Sequence, residues 1–151
     1  MKLNKIRELE IAKIPFDITQ KCLETIDYKK WIDFVENNNF VWKENTEEGK
    51  TTIQNLSLIP ESFRERVLLS LNKRTACFDF NEKKRQYRIL VTFRSDFNYI
   101  GINVEEKLSV FDLEFFLKMA KHLDALLLKD GKEMVNDKMI KDLKIFSSIN
   151  I

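Results

Sequence analysis

TACFDFNEKKRQYRILVTFRSDFNYIGINV, residues Thr75 to Val104, is the stretch that decides the fold. Ala76, Phe78 and Phe80 alternate with Cys77 and Asp79, Asn81-Glu82-Lys83-Lys84 has the composition of a turn, and Tyr87, Ile89, Val91 and Phe93 then recur at every second position. A period of two marks strands whose two faces meet different surroundings. Ser95-Asp96 reads as a second turn, and Ile100, Ile102 and Val104 share one face of a third strand. The stretch predicts an antiparallel meander with the Tyr87-to-Phe93 row buried and Arg88, Leu90, Thr92 and Arg94 on the opposite face.

Downstream, Ser109 with Asp112 three residues on resembles a capping box with Asp in place of Glu. Val110, Leu113, Phe116, Leu117, Ala120 and Leu123 then keep helical spacing, which predicts a helix over about 110–122. Leu123 to Met134 reads either as an extension of that helix to a Gly131 cap or as a hairpin turning at Asp130-Gly131. The hairpin, spanning about 125–135, is preferred. Asn136 or Asp137 is placed to cap a last short helix carrying Met139, Ile140 and Leu143, with fraying expected from Ser147 to Ile151.

Upstream, Leu3, Ile6 and Leu9 suggest a helix over Lys2 to Ala12 that Pro15 would stop. Asp27 is placed to cap a helix over about Tyr28 to Glu36, ended by Asn37-Asn38-Asn39. Phe40-Val41-Trp42 and Thr51-Thr52-Ile53 read as a hairpin with an acidic loop between them. Pro60 opens a helix to about Asn72 on Phe63, Val67, Leu68 and Leu71. The sum is an α+β fold: an antiparallel sheet packed against several helices. No repeat or Pro/Gly-rich linker divides residues 1–151, so one domain is expected.

Composition narrows the chemistry. Hydrophobic residues make up 44% of the 151 and charged residues 33%, a globular balance, and three Gly leave little from which to build a Gly-rich phosphate loop. One His and two Cys argue against zinc, haem and iron–sulfur sites, so no cofactor or metal is expected. Charges punctuate Met1 to Phe16 as they would not in an export signal, and no apolar run approaches the roughly 20 residues of a membrane span. Cys22 and Cys77 read as buried, reduced thiols, and the expected compartment is the cytoplasm.

The net charge of +2 selects no partner by itself. Between Lys73 and Arg94, however, Lys73, Arg74, Lys83, Lys84, Arg85, Arg88 and Arg94 face only Asp79 and Glu82, leaving the rest of the chain acidic. Arg85, Arg88 and Arg94 are therefore candidates for a docking surface, with Trp42, Phe97 and Tyr99 as partly exposed aromatic anchors. The leading expectation is a non-enzymatic protein that engages another protein through a charged sheet face, as an immunity- or antitoxin-like neutraliser or an adaptor would. A small-ligand site or an enzyme using His122 and acids, in a cleft between helix 110–122 and the sheet, is the alternative. Nucleic-acid binding, with phosphates held by the arginines, is a third. Paired acids such as Glu47-Glu48 and Glu105-Glu106 lack metal-ligand spacing and read as solvated. Self-association through a Leu126-to-Leu128 edge stays open.

Overall fold

The computed structural model describes residues 2–149. Among these, the strands β1 (Glu8–Ala12), β2 (Val41–Trp42), β3 (Thr75–Asn81), β4 (Gln86–Arg94), β5 (Tyr99–Val104), β6 (Leu126–Lys129) and β7 (Glu133–Met134) join in one antiparallel sheet ordered β2-β3-β4-β5-β1-β6-β7. The helices are α1 (Tyr28–Glu36), α2 (Glu47–Gln54), α3 (Glu61–Ser70), α4 (Val110–His122) and α5 (Asp137–Ile149). The α+β architecture and the meander follow the alternation in the sequence.

One face of the sheet carries the main core. Ile89, Val91, Ile100, Ile102 and Val104 turn toward α1 and α4, which bury Trp31, Phe34, Val35, Leu113, Phe116 and Met119 among them. Each large side chain fully buried there is worth about 1.5–3 kcal/mol against exposure. The helices begin where the caps predict: the Asp27 carboxylate accepts from the Lys30 N–H, and Ser109 and Asp112 bond reciprocally in a capping box at α4. At the second hairpin Asp130 and Gly131 both have positive φ, and the Lys132 N–H donates to Lys129 C=O at 3.1 Å. This is the tight turn that the Asp-Gly pair favours.

Three expectations are corrected. Lys2 to Ala12 is not a helix: a short 3-10 turn at Leu3–Lys5 leads into β1, which lies between β5 and β6. Leu9 and Ile11 face the core, and two partner strands outweigh the coincidental helical spacing of Leu3, Ile6 and Leu9. Thr51-Thr52-Ile53 is no strand either. Thr46 accepts from the Gly49 N–H, Glu47 and Glu48 occupy the first turn of α2, and β2 pairs instead with β3. The last helix runs to Ile149, so Ser147, Ser148 and Ile149 are helical where fraying was expected, while residues 150–151 of that expectation lie outside the described residues.

On the opposite face, segment 13–26 covers β1 and β6. The Phe16 N–H donates to Gly131 C=O at 2.8 Å, and Cys22 is buried with Ala12 and Leu128. Glu10, buried on β1, accepts a 2.6 Å hydrogen bond from the Gly131 N–H. Gly131 has φ +72°, and a Cβ there would lie 2.5 Å from Phe16 C=O, so the turn requires glycine. Burial pushes the Glu10 carboxyl up to about 7, against the Gly131 hydrogen bond and with help from Asp130 and Glu8. The folded state thus holds this proton more tightly than the unfolded chain does. The associated stability is fully present below pH 4.5 and is lost as pH rises through about 7. The loss amounts to about 3 kcal/mol. Glu10→Gln, which keeps an acceptor for Gly131, is expected to raise the thermal midpoint at pH 8.5 and to change it little at pH 5. Parallel stability curves for the two proteins across that range would refute the assignment.

Candidate functional site

The six residues singled out from the sequence fall in separate places. Arg85 stands exposed at the β3–β4 turn, 3.5 Å from Glu47. Arg94 is exposed at the other end of β4, its guanidinium 5.9 Å from the centroid of Tyr99. Tyr99 is half-buried, its ring 5.0 Å from Phe16, and Phe97 is exposed beside it on the β4–β5 turn. Trp42 does not reach the surface. It pairs in the sheet with small Ala76 and packs edge-to-face on Trp31 at 5.5 Å, fastening α1 to the sheet edge.

Arg88 does not look outward either, because the strands change face beside it. Asp79 has φ +62° within β3, a left-handed conformation that costs about 1–2 kcal/mol for an L-residue. Phe78 packs on Phe115 of α4, yet Phe80 and Tyr87 line a cleft with Cys77 and Leu90 on the far side. The inversion leaves Arg88 directed at the start of α4. Its guanidinium donates to both oxygens of Asp112 at 2.7 and 2.9 Å and to Asp79 at 2.6 Å. The side chains of Arg88 and Asp112 are 17% and 10% exposed. Burial alone would raise the Asp112 carboxyl, but hydrogen bonds from Arg88 and Ser109 hold it below the usual range, and Asp112 in turn raises Arg88.

Three more members of the basic run meet partners within the molecule. Lys84 pairs with Glu106 at 3.0 Å, Lys73 with Glu36 at 3.8 Å, and Arg74 lies 4.4 Å from the ring centroid of Tyr28. Acids distant in sequence therefore offset a charge excess that looks free in the sequence. Arg85, Arg94 and Lys83 stay exposed, whereas Arg88 is withdrawn from the sheet face.

What opens instead is a surface cleft of about 690 Å³ between the first turn of α2 and the outer side of β3 and β4. Cys77, Leu90 and an edge-to-face Phe80–Tyr87 pair, centroids 5.0 Å apart, give it an apolar side. Glu47, Glu48, Glu82 and Glu105 line it against Lys43 and Arg85. Gly49 lets α2 fold tightly back on the turn before it: a Cβ there would lie 1.9 Å from Lys43 C=O. Cys77 is no nucleophile at neutral pH, since burial pushes its thiol up to about 11. Cys22 is a free buried thiol too, and His122 is an exposed helix-end residue with its ring 5.5 Å from Phe34. The space between α4 and the sheet, where a catalytic cleft was an alternative, is filled by Leu113, Phe116, Met119 and Ala120.

Beside the cleft, α2 leads through a 3-10 turn at Leu56–Leu58 into α3. Arg64 braces this arm by donating to Ile59 C=O at 2.9 Å and Ser57 C=O at 3.1 Å. None of the ten residues of α3 is buried, although it carries Phe63, Val67, Leu68 and Leu69. Phe63 is 51% exposed, Leu69 54% and Leu58 80%, with Ile53 and Leu68 exposed as well. The spacing of these side chains reads as a core-facing helix in the sequence, where nothing marks them as surface residues.

Removing one partner of the Arg88–Asp112 pair leaves the other charge poorly solvated. Arg88→Met is accordingly expected to cost about 3 kcal/mol in denaturant unfolding. The double variant with Asp112→Asn should lose clearly less than the sum of the single changes. Strict additivity would show the pair to be uncoupled. Comparison of the chain with protein-family models, with curated proteins and with solved structures finds no match.

Proposed function

We propose that the chain is a non-enzymatic protein-binding module, a neutraliser or adaptor of the cytoplasm, whose docking surface is the α2–α3 arm. The observation that carries this reading is α3 itself: a helix with no buried side chain that nonetheless presents Phe63, Leu68 and Leu69. A ten-residue helix gains little from its own hydrogen bonds in water, and most helical stability comes from packing an apolar face. On this reading a partner surface completes the packing. Exposed apolar groups at such density on a soluble domain mark protein contacts more often than solvent-facing decoration, and aromatic side chains such as Phe63 make effective anchors. The two unbridged thiols support a reducing compartment. The internal pairing of Arg88, Lys84 and Lys73 argues against a phosphate-binding sheet face.

The test compares the wild-type chain with the double variant Phe63→Asp, Leu69→Asp. Because both side chains are already half in water, the thermal midpoint is expected to fall by no more than about 2 °C. Recovery of a stoichiometric protein partner from cells of the source organism should be abolished in the variant. Recovery of the same proteins by both chains, or of none by the wild type, refutes the reading. A fall of many degrees would show instead that the arm belongs to the core.

A further inference from the structure

We propose that the cleft between α2 and the outer side of β3 and β4 receives a cationic side chain, an arginine or lysine on a segment of a protein partner. The volume, about 690 Å³, is ample for one long side chain with its flanking backbone. Phe80, 46% exposed, and Tyr87 offer an edge-to-face ring pair on which an aliphatic stem lies and toward which a cation is drawn. Four carboxylates line the space against two cations, so its charge complements a basic group rather than an acidic one. One of those cations already shows how the site is used. Arg85 reaches Glu47 at 3.5 Å with both side chains largely in solvent. A pair so exposed is weak, so an incoming guanidinium displaces it at little cost and takes over the carboxylates in a bidentate geometry. Arg85 is then a resident competitor whose side chain, 73% exposed, can swing away into solvent.

The proposal rests on the protein-binding reading only for the source of the cation, and the cleft is tested separately. The full chain, isotope-labelled, is titrated at low salt with three capped hexapeptides: (Gly-Arg)3, its citrulline counterpart and (Gly-Asp)3. Saturable shifts are expected at the amides of Phe80, Gln86 and Tyr87 with the arginine peptide alone. Glu82→Gln with Glu105→Gln, both exposed positions, should weaken that binding roughly tenfold. Arg85→Ala should tighten it by removing the competitor. Absence of saturation, equal binding of the citrulline peptide, preference for the aspartate peptide, or weakening by Arg85→Ala overturns the proposal. The Phe63→Asp, Leu69→Asp chain serves as the control that separates the two ideas. If it binds the arginine peptide normally while partner recovery shows no dependence on the arm, the docking reading alone fails. If partner recovery depends on the arm and the peptide does not bind, the cleft alone fails.

Discussion

A single left-handed residue inside a strand organises the surface of this protein. At Asp79 the backbone of β3 turns through φ +62°, and β4 follows it, so side chains beyond that point exchange faces. Strain of this kind persists only where surrounding contacts over-determine it. Here the hydrogen bond from Arg88 to Asp79 and the two from Arg88 to Asp112 supply that constraint. The two bonds to Asp112 tie the amino-terminal turn of α4 to the sheet and complete the environment of its capping box. Two consequences follow from one geometry. An arginine that simple alternation sends to solvent is held against a helix, and two aromatic rings that alternation sends to the core, Phe80 and Tyr87, come out on the other side and make the cleft.

The outer side of the sheet is consequently divided. Over β1 and β6, segment 13–26 seals it with Phe16, Cys22 and the Gly131 turn clamped by Glu10. Over β3 and β4 the first turn of α2 and the residues just before it approach, and the surface between stays open. The arm that continues from α2 has no fully buried side chain until Leu71, just past the end of α3. Local stability tracks buried apolar contact, so the arm has the least packing to hold its order. The open cleft and the under-packed helix α3 both lie along the segment that follows β2.

How legible all this is in the sequence depends on the range of the interaction involved. The meander, α1, α4 and the Asp130-Gly131 turn are written locally, in alternation, in Asp27 and Ser109 caps, and in a dipeptide that accepts positive φ at both positions. β1 is not, because Glu8–Ala12 is a strand only by virtue of β5 and β6, about 90 and 120 residues away. α2 rests on a Thr46 cap with Glu47 and Glu48 in its first turn, which overrides the strand propensity of the β-branched Thr51, Thr52 and Ile53. The site fared worse than the fold. Trp42 is buried through pairing with Ala76, and Arg88 is turned by a conformation of Asp79 that no periodicity announces, whereas Arg85, Arg94 and Phe97 do reach the surface.

Charge teaches the same lesson more sharply. The basic excess of residues 73–94 is real in composition, yet Glu36, Glu47, Glu106 and Asp112 come from four other parts of the chain to meet it. A run of like charge in sequence is a statement about the unfolded chain. In the folded one the potential at a surface is set by whichever charges the topology gathers there, and charges already engaged at 2.6–3.0 Å contribute little field to a partner. At the β3–β4 turn the gathering goes further and reverses the sign: the cleft that opens within the most basic stretch of the sequence is lined mainly by carboxylates. Its one exposed arginine is held there by a contact weak enough for another cation to replace. The electrostatic character of the cleft is therefore a product of the fold and not of the linear order of charges.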